Sequence, residues 1–95
     1  MSPEEMLDLL RSDLQNPPTT VNGYLQHLLG VAKERITAEG IQLDAKSIDD
    51  SNLQIMYAAW LYRARNSPEN PMPRMLRFAL NNRLFGRKGE SDAIR

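Results

Sequence analysis

The chain has 95 residues, the length of one domain, and its 41% apolar and 25% charged residues are ordinary for a globular protein. It contains no cysteine, which excludes a disulfide-stapled scaffold, a thiolate metal site and a thiol nucleophile. The net charge is zero, but four Lys/Arg against nine Asp/Glu give residues 1–60 a charge of −5, and eight against three give residues 61–95 a charge of +5. Such an imbalance favours head-to-tail contact between copies and leaves a basic face for nucleic acid.

The first helix is predicted to begin at Pro3 and to end before Asn16. Ser2 is a capping residue, proline suits the first helical position, and Glu5 completes the pattern of a capping box. The prolines at positions 17 and 18 stop the helix because proline has no amide and disfavours helix in the residue before it. Apolar residues recur at three- and four-residue spacing and give the helix one buried face: Met6, Leu7, Leu10 and Leu14.

A second helix is predicted to run to about Glu39, with Thr19 or Thr20 as its cap and Gly40 as the left-handed residue that ends it. Two glycines inside the helix indicate either close packing against a neighbour or an irregular first turn: Gly23 and Gly30. Its apolar face consists of Val21, Tyr24, Leu25, Leu28, Leu29, Ala32 and Ile36.

A long loop is predicted over residues 41–48, followed by a third helix over about residues 50–65 that Asp49 or Ser51 caps. The interior of this helix is apolar on nearly all sides, which is typical of a helix surrounded by others. It is therefore predicted to lie at the centre of the core. The predicted core residues of the whole chain are Leu25, Leu28, Leu29, Met56, Tyr57, Trp60, Leu61, Leu76 and Leu80.

After a turn-rich break at residues 66–71, Pro73 is predicted to open a fourth helix that runs to about Phe85 and ends at Gly86. The residues predicted to face inward are Met72, Met75, Leu76, Ala79, Leu80 and Leu84. The polar residues 87–95 are predicted to form a flexible tail. The fold class is therefore all-α: one bundle of about four helices over residues 1–86, with a long loop and a flexible tail.

No catalytic or metal-binding chemistry is predicted. His27 is the only histidine, and a zinc site would need three carboxylates around it, so we interpret it as a partly exposed structural residue. The loop acids Asp44, Asp49 and Asp50 lack the spacing of a calcium loop and suit helix capping. No phosphate loop or nucleophile elbow is present. The prediction is a protein that is not an enzyme and has no cofactor.

The sequence also predicts no secretion or membrane segment. Acids stand near the N-terminus, where a signal peptide would carry positive charge. The longest apolar run, residues 55–62, has eight residues, whereas a spanning helix needs about 20. A cytoplasmic protein, or part of an assembly built there, is expected.

The last third of the chain concentrates cations, with Glu69 the only acid between residues 63 and 88. The two arginines at the end of the third helix stand where the helix dipole favours cations, but the set is larger than capping requires. We predict a charged surface for a partner, either phosphate or the acidic half of a neighbouring copy. Its residues are Arg63, Arg65, Arg74, Arg77, Arg83, Arg87 and Lys88.

Two ordered runs carry a resemblance to a known family: Tyr-Ala-Ala-Trp-Leu-Tyr-Arg at residues 57–63, and Met-Pro-Arg-Met-Leu-Arg at residues 72–77. With residues 24–41, the helix start at 49–50 and the run 81–84, they resemble the head–tail connector proteins of tailed bacteriophages and prophages, also called head-completion or adaptor proteins. The similarity covers about residues 5–85.

The resemblance implies a small helical subunit that assembles as a ring beneath the portal, in the virion neck, after assembly in the bacterial cytoplasm. Such a ring extends the DNA channel, through which packaged DNA passes without sequence specificity, and it docks the next neck or tail-completion protein. Some members form rings alone, and others oligomerise only on the portal. On this basis, Arg74, Arg77 and Arg83 are predicted to face a neighbouring subunit or the channel. Reversing the charge of Arg77 and Arg83 together is predicted to block assembly while leaving the monomer folded.

Two other functions stay open at this point. The first is a small DNA-binding regulator with helices three and four as a helix-turn-helix, although the connector at residues 66–72 is longer than the usual three- to four-residue turn. The third helix is also more apolar than that motif requires. The second is a plain helical interaction module, such as a toxin antagonist.

Overall fold

Four α-helices and a short 3₁₀ turn make up the structure, a computed structural model that describes residues 1–67 and 69–93, with side chains as far as residue 86. Over the described residues there is no strand, so the all-α prediction is confirmed. No helix in these two segments is long and apolar enough to cross a membrane. The helices are α1 (Pro3–Asp13), α2 (Asn22–Ala38), α3 (Ile48–Ala64) and α4 (Arg74–Ala93), with the 3₁₀ turn at Thr19–Val21.

The third helix lies at the centre, as its apolar sequence predicts, and contacts α1, α2 and α4. Its buried apolar residues are Leu53, Ile55, Tyr57, Ala58 and Ala59. Three predicted core residues differ: Met56 is 39% exposed, and Trp60 and Leu61 are only partly buried against the core. Met56 is exposed because α4 leaves an open cleft beside it.

The first helix begins as its capping box predicts. The Ser2 hydroxyl accepts a hydrogen bond from the Glu5 amide at 3.1 Å, and the Glu5 carboxylate accepts one from the Ser2 amide at 3.0 Å. The bond that the Ser2 amide donates stabilises the ionised carboxylate, and the neighbouring Ser2 hydroxyl adds to this, so the pKa of Glu5 is lowered. At the other end, Gln15 and Asn16 adopt left-handed φ angles of 63° and 55°, which turn the chain out of the helix before Pro17.

The second helix differs from its prediction at the start and agrees at the end. Neither Thr19 nor Thr20 caps α2; both lie in the 3₁₀ turn, and the N-cap position, Val21, makes no side-chain capping hydrogen bond. Gly40 follows the helix with φ of +98°, as predicted. A Cβ placed on either glycine inside α2 would meet no atom within 4 Å, so neither glycine marks close packing in the described structure.

The cap of α3 is Ser47, not Asp49 or Ser51. Its hydroxyl accepts a hydrogen bond from the Asp50 amide at 3.2 Å, and the helix begins at Ile48, two residues earlier than predicted. The preceding loop therefore ends one residue earlier, at residue 47. Consequently Asp50 and Ser51 lie inside the first turns of α3, where both are buried.

The fourth helix packs through one side and continues past its predicted end. Leu76 and Leu80 are buried and Leu84 packs against the core, but Met75, predicted to face inward, is 77% exposed. The helical backbone passes through Gly86 and reaches residue 93, so Gly86 does not end the helix. Side chains beyond residue 86 lie outside the described part of the chain, and the flexible tail at 87–95 stays a prediction.

Candidate interaction surface

Arg83 and Asp50 form the most buried ion pair that the described residues contain. The Arg83 Nε–Asp50 Oδ1 distance is 2.5 Å and the Nη2–Oδ2 distance is 2.9 Å. The side chains are 20% and 4% exposed. Arg83 also donates to the Gln42 carbonyl at 2.8 Å, and the Asp44 amide donates to Asp50 at 2.7 Å. A single guanidinium therefore joins α4 to α3 and to the loop before α3.

Two other predicted surface arginines also bind acids of their own chain. Arg77 donates to both carboxylate oxygens of Glu39, at 2.8 and 3.1 Å, and thereby holds α4 against the end of α2. The Glu39 carboxylate raises the pKa of Arg77. Arg63 pairs with Asp13 of α1 at 3.1 Å, with both side chains about half exposed. Three of the seven predicted cations therefore pair with acids of their own chain.

The remaining predicted cations have different surroundings. The Arg65 guanidinium lies 3.6 Å from the centre of the Tyr62 ring, a cation–π contact, and donates to the Tyr62 carbonyl. Arg74 is exposed at the start of α4. Arg87 and Lys88 have side chains outside the described part of the chain. Arg74 is thus the predicted partner-surface cation that the described structure leaves most accessible on α4.

These contacts change what charge reversal at Arg77 and Arg83 would do. The new carboxylates would face Glu39 and Asp50, and Asp50 is nearly inaccessible to water. Like charges at that distance, one of them buried, destabilise the fold. From these contacts we expect the double variant to destabilise the monomer as well, so it does not isolate assembly.

The side of α4 that points away from the body carries three large apolar residues and one asparagine, which together we call the outward face: Met75, Phe78, Asn82 and Phe85. Met75, Phe78 and Phe85 are 77%, 57% and 59% exposed. Asn82, also exposed, lies between the two phenylalanines along the helix. The signal was present in the sequence as a spacing of three, four and three residues. From the sequence, Met75 is predicted to face inward, and neither phenylalanine is predicted to lie on a particular side of the helix.

A cleft of about 700 Å³ runs between α3 and α4 beside the outward face. Met56 and Leu53 line it from α3, and Ala79 and Asn82 line it from α4. The acids Asp44 and Asp49 stand at its edge. Since Asn82 belongs to both features, the cleft and the outward face form one continuous surface.

A second groove, between α2 and α3, is aromatic. His27 is exposed and stacks on Tyr24 with ring centres 6.4 Å apart, and Trp60 lines the same groove. The Trp60 indole nitrogen is buried and has no hydrogen-bond partner among the described residues. In the described part of the chain no three histidine or acidic side chains are close enough to hold a metal ion.

No protein-family model, curated protein or solved structure matches this chain. Function is therefore inferred from the surfaces described above and from the resemblance carried by the two ordered runs.

Proposed function

We propose that this chain is a head–tail connector, or head-completion protein, of a tailed bacteriophage or prophage. Its copies form a ring beneath the portal that extends the DNA channel and docks the next neck or tail component. The observation that supports this best is the outward face of α4, a large apolar surface on a small helical subunit. The proposal places the protein in the virion neck after assembly in the bacterial cytoplasm.

The residues that carry the resemblance have related places in the fold. Tyr57, Ala58 and Ala59 from the first run are buried in α3. The second run leads into α4, where Leu76 is buried and Arg77 binds Glu39. The first run thus belongs to the core and the second attaches α4 to the body, which is consistent with a resemblance in the folded core rather than in a catalytic motif.

The exposed apolar surface supports an assembly role. Monomeric proteins rarely expose large contiguous apolar patches, and such patches commonly mark contacts with other molecules. Here three large apolar side chains on one helix, next to a cleft, are exposed to solvent. A subunit that functions only in a neck assembly would have this surface covered by its neighbours.

The ion pairs of the monomer change which cations are proposed to contact a partner. Arg77 and Arg83 hold α4 to the body, so the proposal does not use them for a neighbour or for DNA. Arg74, with Arg87 and Lys88, is the better candidate for contact with the phosphates of passing DNA. Such contacts are independent of base sequence, as a channel requires.

The DNA-binding regulator receives less support from this geometry. As a recognition helix, α4 would present its outward face to the major groove, where base edges require hydrogen-bond donors and acceptors. That face instead carries Met75, Phe78 and Phe85, and two of the helix cations bind acids of the same chain.

Electron microscopy of this protein mixed with the purified portal of the same genome tests the proposal. We expect an additional ring of density at the tail-facing end of the portal, absent from portal alone. Arg35→Glu, which changes an exposed cation on α2, serves as the control variant and should leave the ring unchanged. Unaltered portal particles at saturating protein would contradict the proposal. So would tight binding, without portal, to one duplex DNA sequence in strong preference to others.

A further inference from the structure

We infer that two copies of this chain pair through the outward faces of their α4 helices, which run antiparallel in a two-fold contact. This inference goes beyond the proposed ring, because a ring is closed by contacts between two different patches of neighbouring copies. A two-fold contact uses the same patch on both copies and belongs to the free protein.

The spacing along α4 places one apolar row opposite the core. At 100° per residue, Met75, Phe78, Asn82 and Phe85 fall within a sector of about 80°. The side toward the body carries Leu76, Leu80 and Leu84. The helix is thus apolar on two sides, of which its own body covers one. Another helix with a matching row would cover the other.

Asn82 favours a second copy as the occupant. The residues at 75, 78, 82 and 85 stand at the alternating positions of a helix-pairing seam, and Asn82 occupies one of them. A single asparagine in such a row pairs with a polar group of the facing helix and fixes the register between the helices. A copy of α4 supplies the same amide about 6 Å along the axis from the first one, roughly one helical turn from the facing position. From 75 to 85 no charged residue lies in the row to repel the copy.

Charge and residue size favour the antiparallel arrangement. Centred on Leu80, it places Met75 against the partner's Phe85, a sulfur–aromatic contact, and Phe78 beside the partner's Asn82. The two Arg74 side chains then lie about 18 Å apart along the axis instead of at the same level. Ala79 and Gly86, small residues beside the row, allow the helices to approach closely.

The area of the face sets the expected affinity. An aromatic side chain has about 200 Å² of surface, and the two phenylalanines are each a little more than half exposed. Together they therefore expose roughly 200 Å², and Met75 exposes about as much as one of them. The standard interface buries about 800 Å² on each partner. The outward face is thus the apolar centre of a small interface, and we expect a dissociation constant of roughly 10–500 µM.

Sedimentation equilibrium of the free full-length protein, from about 10 to 500 µM, tests the pairing. We expect the average mass to rise from one chain toward two. Phe78→Asp should keep the protein monomeric, while Leu9→Asp, which changes an exposed apolar residue of α1, should leave the rise unchanged. Circular dichroism checks that both variants stay helical. A wild-type monomer throughout, an equal effect of both variants, or a mass beyond two chains would overturn the inference.

Cysteine cross-linking tests the direction, because the chain has no cysteine of its own. We expect Met75→Cys and Phe85→Cys proteins, mixed and oxidised, to give the mixed disulfide, and Met75→Cys alone to give little. The antiparallel contact brings 75 close to the partner's 85, within the distance a disulfide needs. Efficient Met75→Cys homodimers, or no mixed product, would overturn the antiparallel arrangement. Portal is absent from both assays, so their failure leaves portal binding untouched.

Discussion

At the scale of single residues, the ion pairs of this chain differ in how far they are removed from water. Asp50 and Arg83 are 4% and 20% exposed, whereas Arg63 and Asp13 are both about half exposed. An exposed pair contributes little because water and salt screen it. In a buried pair, removal of one partner leaves a desolvated charge without compensation. The two ion pairs therefore contribute very differently to the stability of this fold.

We expect Arg83→Met to lower the free energy of unfolding by about 3–5 kcal/mol, because it leaves the buried Asp50 carboxylate without its guanidinium. Arg63→Met, the matched change in the exposed pair, should cost less than about 1 kcal/mol. Urea denaturation followed by circular dichroism measures both. Asp50→Asn added to Arg83→Met should recover part of the loss, since the pair is coupled. Similar costs for the two single variants would contradict the assigned roles.

The sequence could not separate internal from external partners of these arginines. Arg83 and Asp50 are 33 residues apart, and Arg77 and Glu39 are 38 apart. No local pattern links residues so distant, because their contact depends on how the helices pack. An acidic half and a basic half satisfy each other within one chain as well as between two. Charge arithmetic alone therefore favoured an external partner too strongly.

At the scale of elements, a helix end was predictable where one local pattern determines it, and it was not predictable where several residues suit the same position. The box of Ser2 and Glu5 was predicted because both partners lie within one turn. The cap of α3 was misplaced because Asp49 and Ser51 also suit an N-cap position. In addition, Ile48, which follows Ser47, ends a segment of mixed polar and apolar residues that is predicted to be a loop. Gly86 resembled a helix stop, yet its cost of about 1 kcal/mol is small enough for the helix to continue.

Two glycines at different places relative to α2 should respond in opposite ways to alanine. Gly40→Ala should lower the free energy of unfolding by about 1–2 kcal/mol, because its φ of +98° is unfavourable for an L-residue. Crowding adds little, since the new Cβ would lie 3.7 Å from the nearest Leu84 atom. Gly30→Ala, inside the helix and in open space, should raise it by up to about 1 kcal/mol. Urea denaturation of both variants decides, and a shared sign would contradict this account.

At the scale of the whole molecule, the sequence predicted which helix lies at the centre, but it did not predict which side of α4 faces solvent. The all-round apolar sequence of α3 predicted its central position, which is confirmed. The fourth helix has apolar residues on two sides, so its pattern alone could not determine which side meets the body. The contacts of Leu76 and Leu80, together with the two ion pairs, fix one side against the body and leave the other exposed to solvent.

The joint that Arg83 makes between α4, α3 and the Gln42 carbonyl has a consequence for the rate at which the protein unfolds. Its contacts join residues that are 33 and 41 positions apart in the chain, so forming them closes long loops and costs chain entropy. Helices that are neighbours in the chain can pair before those loops are closed. We expect the joint to form after the folding barrier is crossed. Arg83→Met should then speed unfolding and leave refolding almost unchanged. Stopped-flow fluorescence of the single tryptophan, Trp60, measures both rates, and slower refolding would place the joint in the nucleus.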